Sequence, residues 1–154
     1  MRVLVTGVTG FLGGRVAARL AGAGQSAEEQ LRRYIVVFVP RVLGPGADIV
    51  HKLINREMND PTPAFDALVE QGVRPRIKYL SSLVARIIVC PVEDRRVPRA
   101  VASIQAQTIA YLPNPITARL GFAFTPTTAK LDEVADHIAT FSLAGVRAIA
   151  RARR

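Results

Sequence analysis

Three glycines near the start of the chain have the spacing of a turn that binds an anion. Residues 6–13 read Thr-Gly-Val-Thr-Gly-Phe-Leu-Gly, so that Gly7, Gly10 and Gly13 are three residues apart. At these positions glycine permits a sharp bend, leaves room for a pyrophosphate and lets a helix pack closely on a strand. The N–H groups at the start of that helix would bind the phosphates. The spacing therefore predicts a dinucleotide-binding turn.

Such a turn needs a strand before it and a helix after it, and both patterns are present. Residues 3–5 form an apolar, largely β-branched run typical of a buried strand. After the turn, apolar residues recur at helical spacing as far as Gly22. Further along the chain the alternation continues, with strands predicted near 2–6, 35–39, 76–80 and 116–124. We therefore expect an α/β fold, a Rossmann-like parallel sheet flanked by helices.

Helices are predicted between these strands. Ser26 is expected to cap a helix that runs to Arg33. Other helices are predicted near 49–58, 64–71, 100–112 and 130–141. The last of these has a predicted core stripe made of Leu131, Val134, Ile138 and Phe141. We expect one domain over residues 1–142, followed by a basic helical tail over 143–154 that carries Arg147, Arg151, Arg153 and Arg154.

The glycine turn, read as TGVTGFLG, resembles the TGxxGxxG signature of the short-chain dehydrogenase/reductase superfamily, in its extended or atypical branch (epimerase/dehydratase-like and NmrA-like). Residues 67–73 and 77–83 are similar to the helix and strand of that family that end in a Ser-Ser pair beside the nicotinamide. Residues 115–122 are similar to a later strand. A rival alignment places residues 39–46 on the family's later RPxxxxGPG segment, but it puts the Ser-Ser strand out of order.

The resemblance implies NAD or NADP as cofactor and nucleotide contacts from the turn. The implied cofactor-binding residues are Gly7, Thr9, Gly10, Phe11, Leu12 and Gly13. Arg41 follows the second predicted strand, where the 2′-phosphate of NADP would lie. Ser81 and Ser82 are the implied catalytic residues, because they would orient a substrate carbonyl.

Two features depart from that family. The catalytic Tyr-x-x-x-Lys pair, which supplies the proton accompanying hydride transfer, is missing, since no tyrosine is followed by a lysine four residues later. The stretch between Gly7 and Ile35 also has room for only about one helix and one strand. A sheet shortened in this way leaves the first strand unpaired on one side. This predicts a homodimer formed across the exposed sheet edge.

Composition excludes several other classes of protein. The chain has 154 residues, a net charge of +9 and a single cysteine, Cys90. The basic residues are spread along the chain with few aromatics among them, which disfavours specific nucleic-acid binding. His51 and His137 have no second ligand near them in sequence, so no metal site is predicted. No apolar run is long enough for a membrane span, and we expect a cytoplasmic location.

These observations together predict a protein that binds NAD(P) and resembles epimerases, dehydratases or reductases, with an oxidoreductase function on an unknown small-molecule substrate. The alternative is a non-catalytic Rossmann-like module that senses the cofactor or joins another subunit. The missing Tyr-x-x-x-Lys pair keeps both alternatives open.

Overall fold

The computed structural model describes residues 24–152, and every regular element within that range is helical. In chain order the α-helices are α1 (Ala27–Leu43), α2 (Ala47–Asn59), α3 (Ala64–Leu68), α4 (Arg74–Ile88), α5 (Arg96–Ala110), α6 (Pro115–Arg119) and α7 (Thr128–Arg151). A π-helical turn (Val69–Val73) joins α3 to α4 without a break. No strand occurs between residues 24 and 152, so the predicted α/β sheet is wrong for this part of the chain.

Four long helices, α1, α4, α5 and α7, enclose the main core. Each buries one stripe of apolar side chains, as amphipathic helices around a shared core do. The stripe of α1 recurs at the helical period and consists of Leu31, Tyr34, Ile35, Phe38, Val39 and Val42. Partly buried apolar side chains of α2, α3 and the π-helical turn form a second, smaller cluster around Leu68. The four-helix core therefore positions any site that lies between these helices.

The contact between α1 and α7 is the most extensive in the bundle. Two fully buried alanines of α7, Ala135 and Ala139, allow the helices to approach closely. Ion pairs flank this contact, one between Arg32 and Asp136 and another between Arg147 and Glu28. All four side chains are substantially exposed, so apolar packing, rather than these ion pairs, holds the two helices together.

Several helix predictions are confirmed, although the boundaries differ. Ser26 forms a capping box with Glu29 at the start of α1, but the helix continues to Leu43 instead of ending near Arg33. The helices predicted near 49–58, 100–112 and 130–141 correspond to α2, α5 and α7. In the predicted stripe of α7, three residues are buried, whereas Phe141 is 63% exposed. The segment after residue 142 continues α7, with Leu143 and Val146 buried.

The strand predictions are wrong wherever the structure describes them. The strand predicted at 35–39 lies inside α1, and the one at 76–80 lies inside α4. Residues 116–124 comprise most of α6 and the irregular segment after it. The physical reason is that a short apolar run has no period of its own, so the neighbouring residues decide between helix and strand. The strand predicted at 2–6 lies outside the described residues.

Among the described residues, no single helix is both long and apolar enough to cross a membrane. Helices α1 and α2 meet the length and composition criteria only as a pair, and the pair is bent by 86°. The apolar side of α1 is buried in the bundle core.

Candidate functional site

Of the residues that the sequence predicted for the site, the described part of the chain contains Arg41, Ser81 and Ser82. The glycine turn, from Gly7 to Gly13, lies outside the described residues, so its contact with NAD or NADP stays a prediction. Arg41 is exposed in the last turn of α1. Ser81 and Ser82 lie in the middle of α4, where the Ser82 hydroxyl donates a hydrogen bond of 2.7 Å to the Tyr79 carbonyl. The predicted strand end beside the serines is therefore a helix interior.

A buried arginine between α1 and α4 is the most unusual group in the described core. Arg76 is only 8% exposed. Its guanidinium carbon lies 4.7 Å from the centre of the Phe38 ring, within cation–π range. One of its terminal nitrogens donates a long hydrogen bond of 3.4 Å to the Tyr34 hydroxyl. Tyr34 in turn stacks on Phe38, with ring centres 5.4 Å apart.

Tyr79 completes this group, which we call the Arg76 cluster: Tyr34, Phe38, Arg76 and Tyr79. The ring centres of Tyr34 and Tyr79 are 6.1 Å apart. Two buried polar atoms of the cluster have no hydrogen-bond partner among the described residues, the Arg76 Nε and the Tyr79 hydroxyl. Both groups carry a hydrogen that can be donated. The cluster therefore contains two buried donors for which the described residues provide no acceptor.

No carboxylate pairs with Arg76. The chain has twelve Asp and Glu residues, and all of them fall within the described part of the chain. The described ion pairs use Arg32, Arg74, Arg96 and Arg147. Burying a guanidinium without a counter-charge is costly, because the lost hydration is not replaced. A cation–π contact and one long hydrogen bond compensate for only part of that cost.

Burial also changes the acidity of both tyrosines in the cluster. It raises the pKa of Tyr34, and the nearby positive charge of Arg76 opposes this only in part. The pKa of Tyr79 is also raised by burial, against the opposing charges of Arg33 and Arg86. Both phenols therefore keep their protons at neutral pH, and each has a hydrogen available for donation.

Alkaline pH is expected to destabilise the domain through Tyr34. In the unfolded chain this tyrosine loses its proton near the ordinary pKa of 10.0, whereas the folded protein retains the proton to higher pH. The unfolded state then binds fewer protons, so the free energy of unfolding falls as pH rises above about 10. Urea unfolding of the native protein and of Tyr34→Phe over an alkaline pH series measures this, and the fall should be shallower in the variant. Equal slopes would show that Tyr34 is not responsible.

A second candidate surface lies on the outside of the bundle, where α5 and α7 pack side by side. A hydrogen bond of 3.0 Å from the Gln107 amide to the Ser142 hydroxyl ties the two helices together. Outward from this bond, exposed residues of both helices form what we call the outer face: Ala106, Ala110, Phe141, Ala144 and Ala148. Phe141 is 63% exposed in the middle of these small residues. A contiguous exposed apolar surface, unlike a single exposed apolar side chain, is typical of an interaction surface.

An open cleft of about 690 Å³ borders the outer face. It lies between the end of α5, the segment after α6 and the first turns of α7, and both Ala110 and His137 line it. Its wall includes an edge-to-face pair, Tyr111 and Phe124, with ring centres 5.5 Å apart. Polar side chains of α7 lie opposite, including Lys130 and Glu133. Among the described residues, no group of three or more His, Cys, Asp or Glu could hold a metal ion.

The described residues form an all-helical bundle and lack the parallel sheet that a Rossmann-type nucleotide-binding domain requires. Residues 27–146 match the model of the family described as the C-terminal domain of the HTH-type transcriptional dual regulator CecR. The match runs from the first residue of α1 to the last turns of α7, and the chain belongs to this family. No individual curated protein matches the chain.

The family match corrects the function expected from the sequence. The chain matches a family of helix-turn-helix regulators and not the short-chain dehydrogenase/reductase superfamily, and the described residues contain no sheet on which a Rossmann fold could form. The epimerase, dehydratase and reductase functions are therefore wrong, and so is the Rossmann-like alternative. The non-catalytic part of that alternative, a module that joins another subunit, is closer to the family's description.

The burial of Arg76 was not predicted from the sequence, because residues 76–80 were assigned to a strand. A helical pattern was available over the same residues. Gly72, Arg76, Leu80 and Leu83 are separated by three or four positions and share one helix face, and all four are buried. Placing an arginine on that buried face would have marked Arg76 as an unusual core residue.

Proposed function

We propose that this domain pairs two copies of a transcriptional regulator through the outer face. The family match supports a role in a helix-turn-helix regulator. Dimeric helix-turn-helix proteins read two half-sites on DNA, and the distance between their two recognition helices must match the half-site spacing. A helical domain that joins two subunits fixes that distance. The domain would thus act on transcription without itself reading bases.

The exposure of Phe141 is the observation that carries this proposal. The ring is 63% exposed on the longest described helix. It lies beside His137, with ring centres 6.3 Å apart, and the exposed residues that follow on α7 include the small Ala144, Gly145 and Ala148. Small neighbours let another helix pair approach closely while the phenylalanine fills the space between them. Two copies related by a two-fold axis would bury the same surface on each side. The four helices would then form an intermolecular bundle.

The charged groups around the outer face suit such an interface. Lys130, Glu133 and His137 lie toward one end, in the cleft beside Ala110. Arg99 is exposed on α5, one helical turn before Ser103. An apolar centre with polar residues at its rim is the usual anatomy of a protein interface. The sequence predicted a homodimer formed across a sheet edge. We place the dimer interface on the outer face instead, because the described residues contain no sheet.

The Phe141→Glu variant tests the proposed pairing. Sedimentation equilibrium of the native protein should show a dimer, and the variant should associate roughly a hundredfold more weakly, since each subunit loses one buried aromatic ring and gains a buried charge. Ile49→Glu is the matched control: Ile49 is 69% exposed on α2, so this substitution should leave the dimer intact.

Circular dichroism should show the same helix content in both variants, because both side chains are largely exposed in a single subunit. A native protein that sediments as a monomer over the whole concentration range would rule out the pairing. Equal weakening by Phe141→Glu and Ile49→Glu would place the interface on another surface.

A further inference from the structure

We propose that the Arg76 cluster is a binding site for the carboxylate of a small organic acid, held between α1 and α4. This site is separate from the outer face and does not depend on the proposed pairing. Arg76 is only 8% exposed, its Nε and the Tyr79 hydroxyl have no hydrogen-bond partner among the described residues, and no Asp or Glu side chain forms an ion pair with it.

The Asp and Glu side chains of this chain do not supply the counter-charge for Arg76, so we expect a ligand to supply it. All twelve Asp and Glu residues lie between Glu28 and Asp136, and residues 1–23 contain none. None of the twelve forms an ion pair with Arg76 in the described structure. No rearrangement of residues 1–23 could supply a side-chain carboxylate. A ligand carboxylate would provide the missing charge and the missing acceptor together.

The donors of the cluster match the acceptors of one carboxylate. The Arg76 Nε–H and the Tyr79 hydroxyl have no acceptor in the described residues. The Tyr34 hydroxyl already accepts a hydrogen bond from Arg76, so its own proton is available for donation. A carboxylate has two oxygens and about four lone-pair sites, which suits a guanidinium edge and two phenols.

The charge of the cluster favours a carboxylate over a dianion such as phosphate. Arg76 is the one cation buried in the cluster, whereas Arg33 and Arg86 are exposed at its edge beside Tyr79. One buried positive charge is neutralised by a single negative charge. A dianion would introduce a second charge into a site with no further buried cation to balance it.

A ligand would reach the cluster past the side chain of Tyr79. The hydroxyl of this residue is buried, but its side chain as a whole is half-buried at the surface of α4. Turning the ring outward would open a path past Arg33 and Arg86, both of which attract anions. The adjacent space lined by Tyr34, Phe38 and Ile138 is only about 10 Å³. The carboxylate group therefore enters the cluster, while the remainder of the acid lies toward the surface.

Thermal unfolding of the full chain in acetate and in benzoate, compared with chloride at equal ionic strength, tests the site. Binding to the folded state alone raises the unfolding midpoint in a saturable manner, so the two carboxylates should raise it and chloride should not. Arg76→Met should abolish the response. Arg74→Met is the matched control, because Arg74 is exposed on the same helix and paired with Glu70; it should keep the response.

The Tyr79→Phe variant provides a second test of the site if Arg76→Met does not fold. It removes one donor and leaves the ring, and should weaken acetate binding roughly fivefold. Three results would overturn the proposal: no response of the native protein to either carboxylate, an equal response to chloride, or the same response in Arg76→Met as in the native protein. Stronger stabilisation by inorganic phosphate than by acetate would overturn the assignment to a carboxylate.

Discussion

Replacing Ala139 by aspartate is expected to remove a large part of the domain's stability. Ala139 is fully buried where α7 packs against α1, and an aspartate there would place an unpaired carboxylate in an apolar contact. A buried charge without a partner costs about 3–5 kcal/mol, against a total stability of about 5–15 kcal/mol for a domain of ordinary size. Urea unfolding followed by circular dichroism measures the loss.

The same substitution at Ala102 is the control for this prediction. Ala102 is exposed on α5, so Ala102→Asp should change the free energy of unfolding by no more than about 0.5 kcal/mol. If the two variants were equally stable, the close α1–α7 contact would not be the main source of stability. A large loss of stability in Ala139→Asp, with little change in Ala102→Asp, would show that the α1–α7 contact contributes strongly to stability.

Replacing Ser81 by proline should also cause a large loss of stability. Ser81 lies in the middle of α4, where proline removes a backbone hydrogen bond and clashes with the preceding turn, at a cost of about 3 kcal/mol or more. At the end of a strand, as the sequence suggested for this position, proline would be tolerated far better. The substitution therefore separates the two assignments of residues 76–82.

Ser81→Ala provides the matched control at the same position. Alanine is the best helix former and keeps the backbone hydrogen bond, so this variant should be as stable as the native protein within about 0.5 kcal/mol. Chemical denaturation of both variants checks the prediction. A mild effect of proline, similar to that of alanine, would contradict the helical assignment of α4.

Local signals in the sequence predicted the presence of several helices, and the start of α1, better than they predicted the fold. The capping box at Ser26 uses residues only three positions apart, so its signal is complete within one turn. The same holds for the helical spacing in α2 and in α7. These features depend on neighbours in the sequence, and they appear in the structure as expected.

The strand predictions failed where a local pattern was ambiguous. Residues 34–39 are aromatic or aliphatic at every position, and such a run suits either a buried strand or a buried helix. In the structure, the helical cap at Ser26 and the continuing stripe to Val42 extend α1 through it. The glycine turn near the start favoured a fold of alternating strands and helices, in which these residues would form a strand.

The sequence by itself determined the start of α1, the amphipathic patterns of α2, α5 and α7, and the set of acids available in the chain, because each of these depends on residue type and local spacing. Only the tertiary structure decided that Arg76 is buried without a carboxylate and that Phe141 lies outside the core. Both depend on how α1, α4, α5 and α7 face one another. That arrangement is set by contacts between residues far apart in the chain, which no local pattern specifies.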